Sequence, residues 1–287
     1  PEDCFSHFQR VILFHFVTNP GIATFNPASI IKDRGSNTWA IGPSRSESGN
    51  AMLIANPHLP WFDMFTWFEA HTISHDLNAY GAGLVGMPFL GIAFNDYMGW
   101  SHTNNVHDGQ DLYELTLIDD GYQWGDGIQH FDERTVEIKV RNDDGNMTAS
   151  EFLIRESVHG PVVSEKDGEA YALRVVGLDQ PHVFRQYFDM ARAKTLKSFQ
   201  DAIRPLQNPY FTIMYADKDG HIMHVFGGRT PIRPAGDWNW LDVVPGVSPE
   251  TIWNETHSYD ELPKSIDPES GWLQNANDPP WTTTFPR

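Results

Sequence analysis

The chain has 287 residues and a formal net charge of −18, from 38 acidic and 20 basic residues. This charge repels a phosphate backbone and makes nucleic acid a poor partner. Hydrophobic residues form 40% of the sequence, and its 10 Trp and 18 Phe suffice for one large core with an apolar pocket.

The first 35 residues differ from the rest. An apolar, helix-compatible stretch at residues 11–17 gives way to turn-forming sequence up to Gly35. The stretch is too short to span a bilayer and lacks the features of a signal peptide, so we expect no membrane span in this sequence. Since the chain starts at Pro1 rather than Met, we expect both ends to be cut from a longer protein. Cys4 is the only cysteine, which excludes an internal disulfide.

From Ser36 onward the pattern is mostly that of strands, predicted at residues 38–41, 52–55, 88–94 and 112–118. Val136, Ile138 and Val140 alternate with polar residues, and the Asp144-Gly145 turn leads to a second run at residues 152–154. This combination predicts a β-hairpin.

Helical spacing follows. Apolar residues recur at intervals of three and four behind Thr195, a candidate N-cap: Leu196, Phe199, Ile203 and Leu206. A shorter helix is predicted at residues 183–190, and strands return at 211–216 and 222–226. Residues 231–280, rich in Pro, Gly, Trp and Asp, predict ordered surface loops. This order of elements predicts antiparallel sheets covered by helices.

Three motifs suggest other chemistries. Residues 81–86, GAGLVG, match the dinucleotide-binding spacing, but Pro88 and an apolar strand follow where a helix is needed, so we predict a glycine-rich turn between strands. The pairs His71/His75 and His221/His224 invite a zinc hypothesis, but no HExxH motif supports it. A GxSxG elbow is also absent, because residues 42–46 break it at the last position.

The most specific signal starts at Gly35. It comprises GSNTWAIG at residues 35–42, ANPHLPW at 55–61, GMP at 86–88, AFND at 93–96, WSHT at 100–103, DLY at 111–113 and LQNAND at 273–278. In this order the blocks resemble the start of the catalytic chain of the penicillin acylase family of N-terminal nucleophile hydrolases. The NPH and QNAND blocks are more similar to acyl-homoserine lactone and aculeacin-type lipopeptide acylases than to penicillin G enzymes.

The resemblance implies an α+β fold, a four-layer αββα sandwich with two antiparallel sheets, present here in part. Residues 1–35 would be a linker or propeptide before an autocleavage site, and residues 36–287 the first part of the catalytic β-chain. It also implies, as partners, the remainder of the precursor, namely an α-chain and the later β-chain, and a periplasmic or extracellular location.

The implied nucleophile is Ser36. A serine hydroxyl must pass its proton to a base, and the α-amine of an N-terminal serine, with a free pKa of roughly 7.7 to 8, can accept it. An internal serine has no such amine. The resemblance therefore implies that Ser36 first attacks the carbonyl of Gly35 and splits the precursor. A residue without a side chain suits the strained approach that this attack needs.

Further roles are implied by position. The oxyanion donors would be the backbone N–H of Asn104 and the side-chain amide of Asn277, and His58 would orient the amine. An apolar acyl pocket is expected around four residues: Leu59, Ile92, Tyr187 and Phe211. No cofactor is required for catalysis, and a structural Ca²⁺ is expected on Asp108, the Gln110 carbonyl and Asp111.

The expected reaction is hydrolysis of a linear carbon–nitrogen amide bond through an acyl-Ser36 intermediate, with a small N-acyl amide as substrate. Acyl-homoserine lactones are the first candidate and penicillin or cephalosporin side-chain amides the second. The rival from another class is a binding domain with the same fold that never matures. A metallohydrolase built on the histidines comes third.

Overall fold

A computed structural model describes residues 2–13 and 35–282, with side chains up to Trp281. These residues form three α-helices and three β-sheets. The helices are α1 (Glu2–Ile12), α2 (Val183–Arg192) and α3 (Leu196–Ile203). None of the helices in the described residues is long and apolar enough to cross a membrane.

A three-stranded antiparallel sheet carries Ser36. It consists of β1 (Gly35–Ile41), β2 (Met52–His58) and β18 (Trp272–Asn275), with β1 in the centre. Ser36 lies opposite Pro57, and Thr38 lies opposite Asn275. This register brings residues of β2 and of β18, which are far apart in the sequence, to the start of β1.

The second sheet has seven antiparallel strands in the order β17-β15-β14-β6-β5-β4-β3. Its strands are β3 (Trp67–Ile73), β4 (Asn78–Leu84), β5 (Ile92–Asn95), β6 (Met98–Thr103), β14 (Thr212–Asp217), β15 (Ile222–Val225) and β17 (Lys264–Ile266). Asn104 follows the last residue of β6 directly.

The third sheet has eight strands and its own small core around Tyr113 and Tyr122. Its strands are β7 (Gln110–Ile118), β8 (Gly121–Trp124), β9 (Gly127–His130), β10 (Asp132–Arg141), β11 (Met147–Ser157), β12 (Gly160–Lys166), β13 (Glu169–Val175) and β16 (Val244–Pro245). The predicted hairpin is β10–β11, and its turn places Gly145 at φ +85°.

Alternating side chains of β14 separate the two faces of the seven-stranded sheet. Ile213 and Tyr215 join the core that includes the helices, whereas Met214 and Ala216 pack against the three-stranded sheet. The described residues therefore form a helical layer on two stacked sheets, which confirms the α+β class and three of the four predicted layers. The outer face of the three-stranded sheet is exposed, as shown by Met52 at 43% and Ile54 at 49%.

Helix α1 belongs to the main core. Phe8, Val11 and Ile12 are buried, and the Phe8 ring meets Phe89 and Phe184 edge-on. The helix thus begins upstream of the apolar run that suggested it. The division of the chain at residue 35 stays a prediction, and residues 14–34 lie outside the described part.

The helix predictions and the glycine motif differ in outcome. Thr195 caps α3 as predicted: its hydroxyl accepts from the Ser198 N–H, and the Ser198 hydroxyl accepts from the Thr195 N–H. The glycine-rich turn was placed wrongly, because Gly81 lies inside β4 and only Val85 and Gly86 form a turn. A Cβ at Gly81 would overlap the Ile92 carbonyl oxygen on the neighbouring strand.

Two further expectations need correction. The strand predicted at residues 88–94 starts only at Ile92, since residues 85–91 form a turn and an irregular segment. The loops predicted at residues 231–280 contain three short strands, of which β17 extends the seven-stranded sheet and β18 pairs with β1. Strands of three or four residues show no periodicity that a sequence pattern can detect.

Candidate active site

Ser36 sits at the start of β1 with 7% of its surface exposed. Its hydroxyl donates to the carbonyl oxygen of Gly35 at 2.5 Å. The hydroxyl is therefore in contact with the carbonyl group of the bond that maturation is expected to break.

Asn277 holds the backbone of Ser36 on both sides. Its Oδ1 accepts from the Ser36 N–H at 3.0 Å, and its Nδ2 donates to the Ser36 carbonyl oxygen at 2.9 Å. The residue has φ +72°, a left-handed conformation that asparagine tolerates better than most residues. Its N–H donates to Asn275 Oδ1, which also accepts from the Thr103 hydroxyl at 2.6 Å. The two asparagines and Thr103 thus form a network that links β18 to the end of β6.

Gly35 lies directly against this amide. A Cβ at Gly35 would be 3.3 Å from Asn277 Nδ2 and 3.8 Å from His58 Nδ1. A side chain at position 35 would press on the Asn277 amide, whereas it would only touch His58 at an ordinary van der Waals distance. The missing side chain at position 35 therefore leaves room for the amide of Asn277 next to the Gly35–Ser36 bond.

His58 ends β2 opposite Gly35, and its side chain is exposed. Its Nε2 bonds to Asn56 Oδ1 at 2.7 Å and lies 3.5 Å from the Asn37 amide nitrogen. The structure places His58 beside Gly35 but pairs its ring with these two asparagines. Its role in orienting the amine stays a prediction.

An apolar cavity opens next to Ser36. Ser36 and Asn104 line it together with all four residues expected in the acyl pocket: Leu59, Ile92, Tyr187 and Phe211. Its wall also includes residues that the sequence did not single out, among them Phe8, Ile12, Phe89 and His102. The predicted pocket residues, the predicted nucleophile Ser36 and the predicted oxyanion residue Asn104 therefore surround one space.

One polar pair lies in this wall. The Tyr187 hydroxyl accepts from Asn208 Nδ2 at 2.7 Å and lies 3.1 Å from His102 Nε2, while His102 Nδ1 lies 3.3 Å from the Thr212 carbonyl oxygen. Burial lowers the pKa of His102 from 6.5 to about 4, so the ring is neutral at physiological pH. A carbonyl oxygen can only accept, so Nδ1 carries the proton and Nε2 accepts from Tyr187.

The residues predicted to bind calcium surround an arginine. Arg233 Nε donates to both carboxylate oxygens of Asp111, at 3.1 and 3.0 Å, and Nη2 donates to the carbonyl oxygens of Gln110 at 3.2 Å and Asp108 at 3.3 Å. Nη2 also lies 3.0 Å from the Asp108 carboxylate. No group of three His, Cys, Asp or Glu side chains in the described part of the chain could hold a metal. The predicted ligand set therefore does not fit a calcium ion, because a guanidinium occupies its centre.

Comparison with known proteins agrees with this geometry. The family model described as penicillin amidase matches residues 7–287. The chain therefore belongs to the penicillin amidase family, which confirms the resemblance seen in the sequence.

Among the relatives, the acyl-homoserine lactone acylase PvdQ of Pseudomonas fluorescens (strain Pf0-1) is 32% identical over 250 residues, which cover 83% of this chain and 29% of the relative. The penicillin acylase 2 proenzyme of Pseudomonas sp. (strain SE83) is 30% identical over 250 residues, or 85% of this chain and 31% of that protein. The chain spans about a third of the length of these curated relatives.

A solved structure of a thermostable penicillin G acylase from Alcaligenes faecalis matches with a TM-score of 0.77 and 25% identity. The match covers 85% of this chain and 44% of the other. The fold is thus that of an N-terminal nucleophile hydrolase.

Some residues around the site were missed by sequence reasoning. Thr103 and Asn275 lie inside the motif blocks that pointed to Asn104 and Asn277, so a signal for them existed. Arg233 lies 122 residues from Asp111 in a loop without periodicity, and no local pattern could have paired the two.

Proposed function

We propose that the protein containing this chain hydrolyses a linear amide bond through an acyl intermediate on Ser36, after the Gly35–Ser36 bond has been cut. One observation carries the proposal. The Asn277 side chain brackets the Ser36 backbone with two hydrogen bonds, at the edge of an apolar cavity.

Maturation uses groups that are already in contact. Ser36 Oγ attacks the Gly35 carbonyl carbon, the C–N bond breaks, and the hydroxyl proton passes to the departing nitrogen of Ser36. The resulting ester is hydrolysed by water, which leaves a carboxylate on Gly35 and a free α-amine on Ser36. Asn277 Oδ1, 3.0 Å from this nitrogen, can then accept a hydrogen bond from the amine and hold it in place.

The same groups serve substrate turnover. The α-amine takes the proton of Oγ as the oxygen attacks the substrate carbonyl, and the leaving amine receives that proton when the C–N bond breaks. Water then releases the acid from Ser36. In the precursor Gly35 occupies the place of the acyl group, and Asn277 Nδ2, which donates to the Ser36 carbonyl oxygen, lies next to Gly35. This proximity supports a donor role for the Asn277 amide toward the oxyanion.

The cavity favours an N-acyl substrate with an aliphatic or aromatic acid. Its wall is mostly apolar. The polar residues in it are Ser36, Asn104 and the His102–Tyr187 pair, whose hydrogen-bonding groups are engaged with each other and with neighbours. Relatives named acyl-homoserine lactone acylases favour those lactones as the first substrate class. The similarity to a penicillin acylase and to the penicillin G acylase structure keeps β-lactam side-chain amides as the second.

We further propose that the rest of the precursor packs with this chain and that the protein is periplasmic or extracellular. Both proposals rest on similarity to the family. Cell fractionation of the producing organism tests the location.

Mass spectrometry of the full-length protein tests maturation. We expect a new N-terminus at Ser36 in the wild type and an uncut chain in Ser36→Ala. Ser44→Ala, which alters an exposed serine close to the same sheet, should be cut as the wild type is. An uncut wild-type chain would instead favour the binding-domain hypothesis. Release of amine from an acyl-homoserine lactone and from a penicillin then separates the two substrate classes.

A further inference from the structure

The segment of residues 104–111 joins the candidate active site to the third sheet. It starts at Asn104, which lines the acyl cavity, and ends in β7. Its first half is held by Asn105, whose amide donates to the Gly227 carbonyl oxygen at 2.7 Å and whose Oδ1 accepts from the His107 N–H at 2.7 Å. The position of Asn104 therefore depends on how this segment is anchored.

The second half is held by the guanidinium of Arg233. This group donates to the Asp111 carboxylate and to two backbone carbonyls of the segment, and it pairs with the Asp108 carboxylate. The Asp111 side chain is 0% exposed and that of Arg233 is 16% exposed. Trp253 Nε1 also donates to the Asp111 carboxylate, at 2.6 Å from Oδ2, an oxygen that accepts from Arg233 Nε as well. Two carboxylates and two backbone carbonyls of the segment therefore surround the positive charge of Arg233.

A buried carboxylate is costly unless a charge and directed donors compensate it. Arginine suits this task because its guanidinium stays charged and offers several donors in a fixed plane. Two carboxylates and two backbone carbonyls are also the kind of oxygen donors that a hard divalent cation takes. A guanidinium that is part of the chain cannot dissociate as a metal ion does. Its presence at the site therefore does not depend on the concentration of metal in solution.

We propose that the guanidinium of Arg233 is a built-in cation that replaces a metal ion among Asp108, Gln110 and Asp111. It anchors the segment of residues 104–111 and makes the stability of the protein independent of calcium. This proposal holds whether or not Ser36 is a nucleophile, because its readout is stability.

The wild-type protein gives the first test. The apparent Tm of the full-length protein should be the same in millimolar Ca²⁺ and in excess EDTA. Metal analysis after gel filtration should find no stoichiometric calcium. A Tm that rises with Ca²⁺, or one calcium retained per molecule, would overturn the proposal.

Substitution of the arginine gives the second test. Arg233→Ala should lower the apparent Tm by on the order of 10 °C, since it strands a buried carboxylate. Added Ca²⁺ should restore about 5 °C by binding to the freed oxygens. Arg155→Ala is the matched control, because Arg155 also bridges two carboxylates, Glu133 and Glu165, but on exposed strands. It should change the Tm little and give no response to Ca²⁺.

If Arg233→Ala does not fold, the Tm of Arg233→Lys with and without Ca²⁺ tests the proposal. It keeps the charge with a different donor geometry, so we expect a smaller fall in Tm and again no response to Ca²⁺. A calcium-stabilised Arg233→Lys would contradict the proposal. So would an Arg233→Ala protein that is as stable as the wild type, or one that Ca²⁺ does not stabilise more than it stabilises Arg155→Ala.

Discussion

Replacing Asn277 tests most specifically the two hydrogen bonds that its side chain makes to the Ser36 backbone. Asn277→Gly removes both hydrogen bonds to the Ser36 backbone, which at about 1 kcal/mol each lowers the free energy of unfolding by about 2 kcal/mol. Asn277→Ala removes the same bonds and places a Cβ at φ +72°, which costs a further ~1 kcal/mol. The alanine variant should therefore melt roughly 2–4 °C below the glycine variant.

Replacing Asn277 should impair catalysis more than it lowers the free energy of unfolding. Loss of one oxyanion donor typically lowers the rate by about 10²–10³. Asn277→Asp separates the two functions of the side chain, because a carboxylate still accepts from the Ser36 nitrogen but cannot donate. We expect this variant to fold, and to mature and turn over at least about 100-fold more slowly than wild type.

The assay follows the appearance of the Ser36 N-terminus by mass spectrometry and the initial rate of amine release, with Tm measured on the same samples. If Asn277→Asp matures and turns over at the wild-type rate, the donor role of Asn277 is refuted. Equal Tm values for the glycine and alanine variants would refute the strain argument alone.

Three further predictions concern the core. Tyr187→Phe strands buried partners, including His102, and should cost about 1–3 kcal/mol in thermal unfolding, whereas Tyr80→Phe at an exposed site should not. Burial lowers the pKa from 6.5 to about 4 for four histidines: His102, His107, His159 and His224. Their contribution to the free energy of unfolding is therefore complete above pH 6.5 and should fall toward pH 4, by up to about 1.4 kcal/mol per pH unit for each histidine. Urea unfolding at a series of pH values across this range measures the fall. Gly81→Ala should prevent folding or lower the yield of soluble protein sharply, because its Cβ overlaps β5, whereas Gly127→Ala, whose Cβ meets only the Trp124 carbonyl oxygen at 3.9 Å, should express normally.

The sequence predicted the elements that local pattern determines. The hairpin of β10 and β11 has alternating residues around an Asp-Gly turn, and α3 has its Thr195 cap, so each carries its own signal. The start of β1 was recognisable because several motif blocks in family order pointed to it.

What the sequence could not predict depends on chain segments that meet only in the fold. Gly81 is required because the backbone of the paired strand β5 lies too close for a Cβ at this position. Residues of β18 form a strand only because β1 lies beside them. The pairing of Arg233 with Asp111 joins a loop to a strand across 122 residues, whereas a carboxylate-rich turn alone favours a metal ion. Long-range pairing of polar groups leaves no periodic trace in the sequence.

Trapping the acyl-enzyme tests the central claim most directly. The matured protein is mixed with an acyl-homoserine lactone, quenched in acid within the first turnover, and digested for peptide mapping. We predict a mass increase equal to the acyl group on the peptide that begins with Ser36, and none in the Asn277→Asp variant under the same conditions. Turnover of the substrate with the acyl group on another residue, or with no covalent adduct in a series of quench times, would contradict the account.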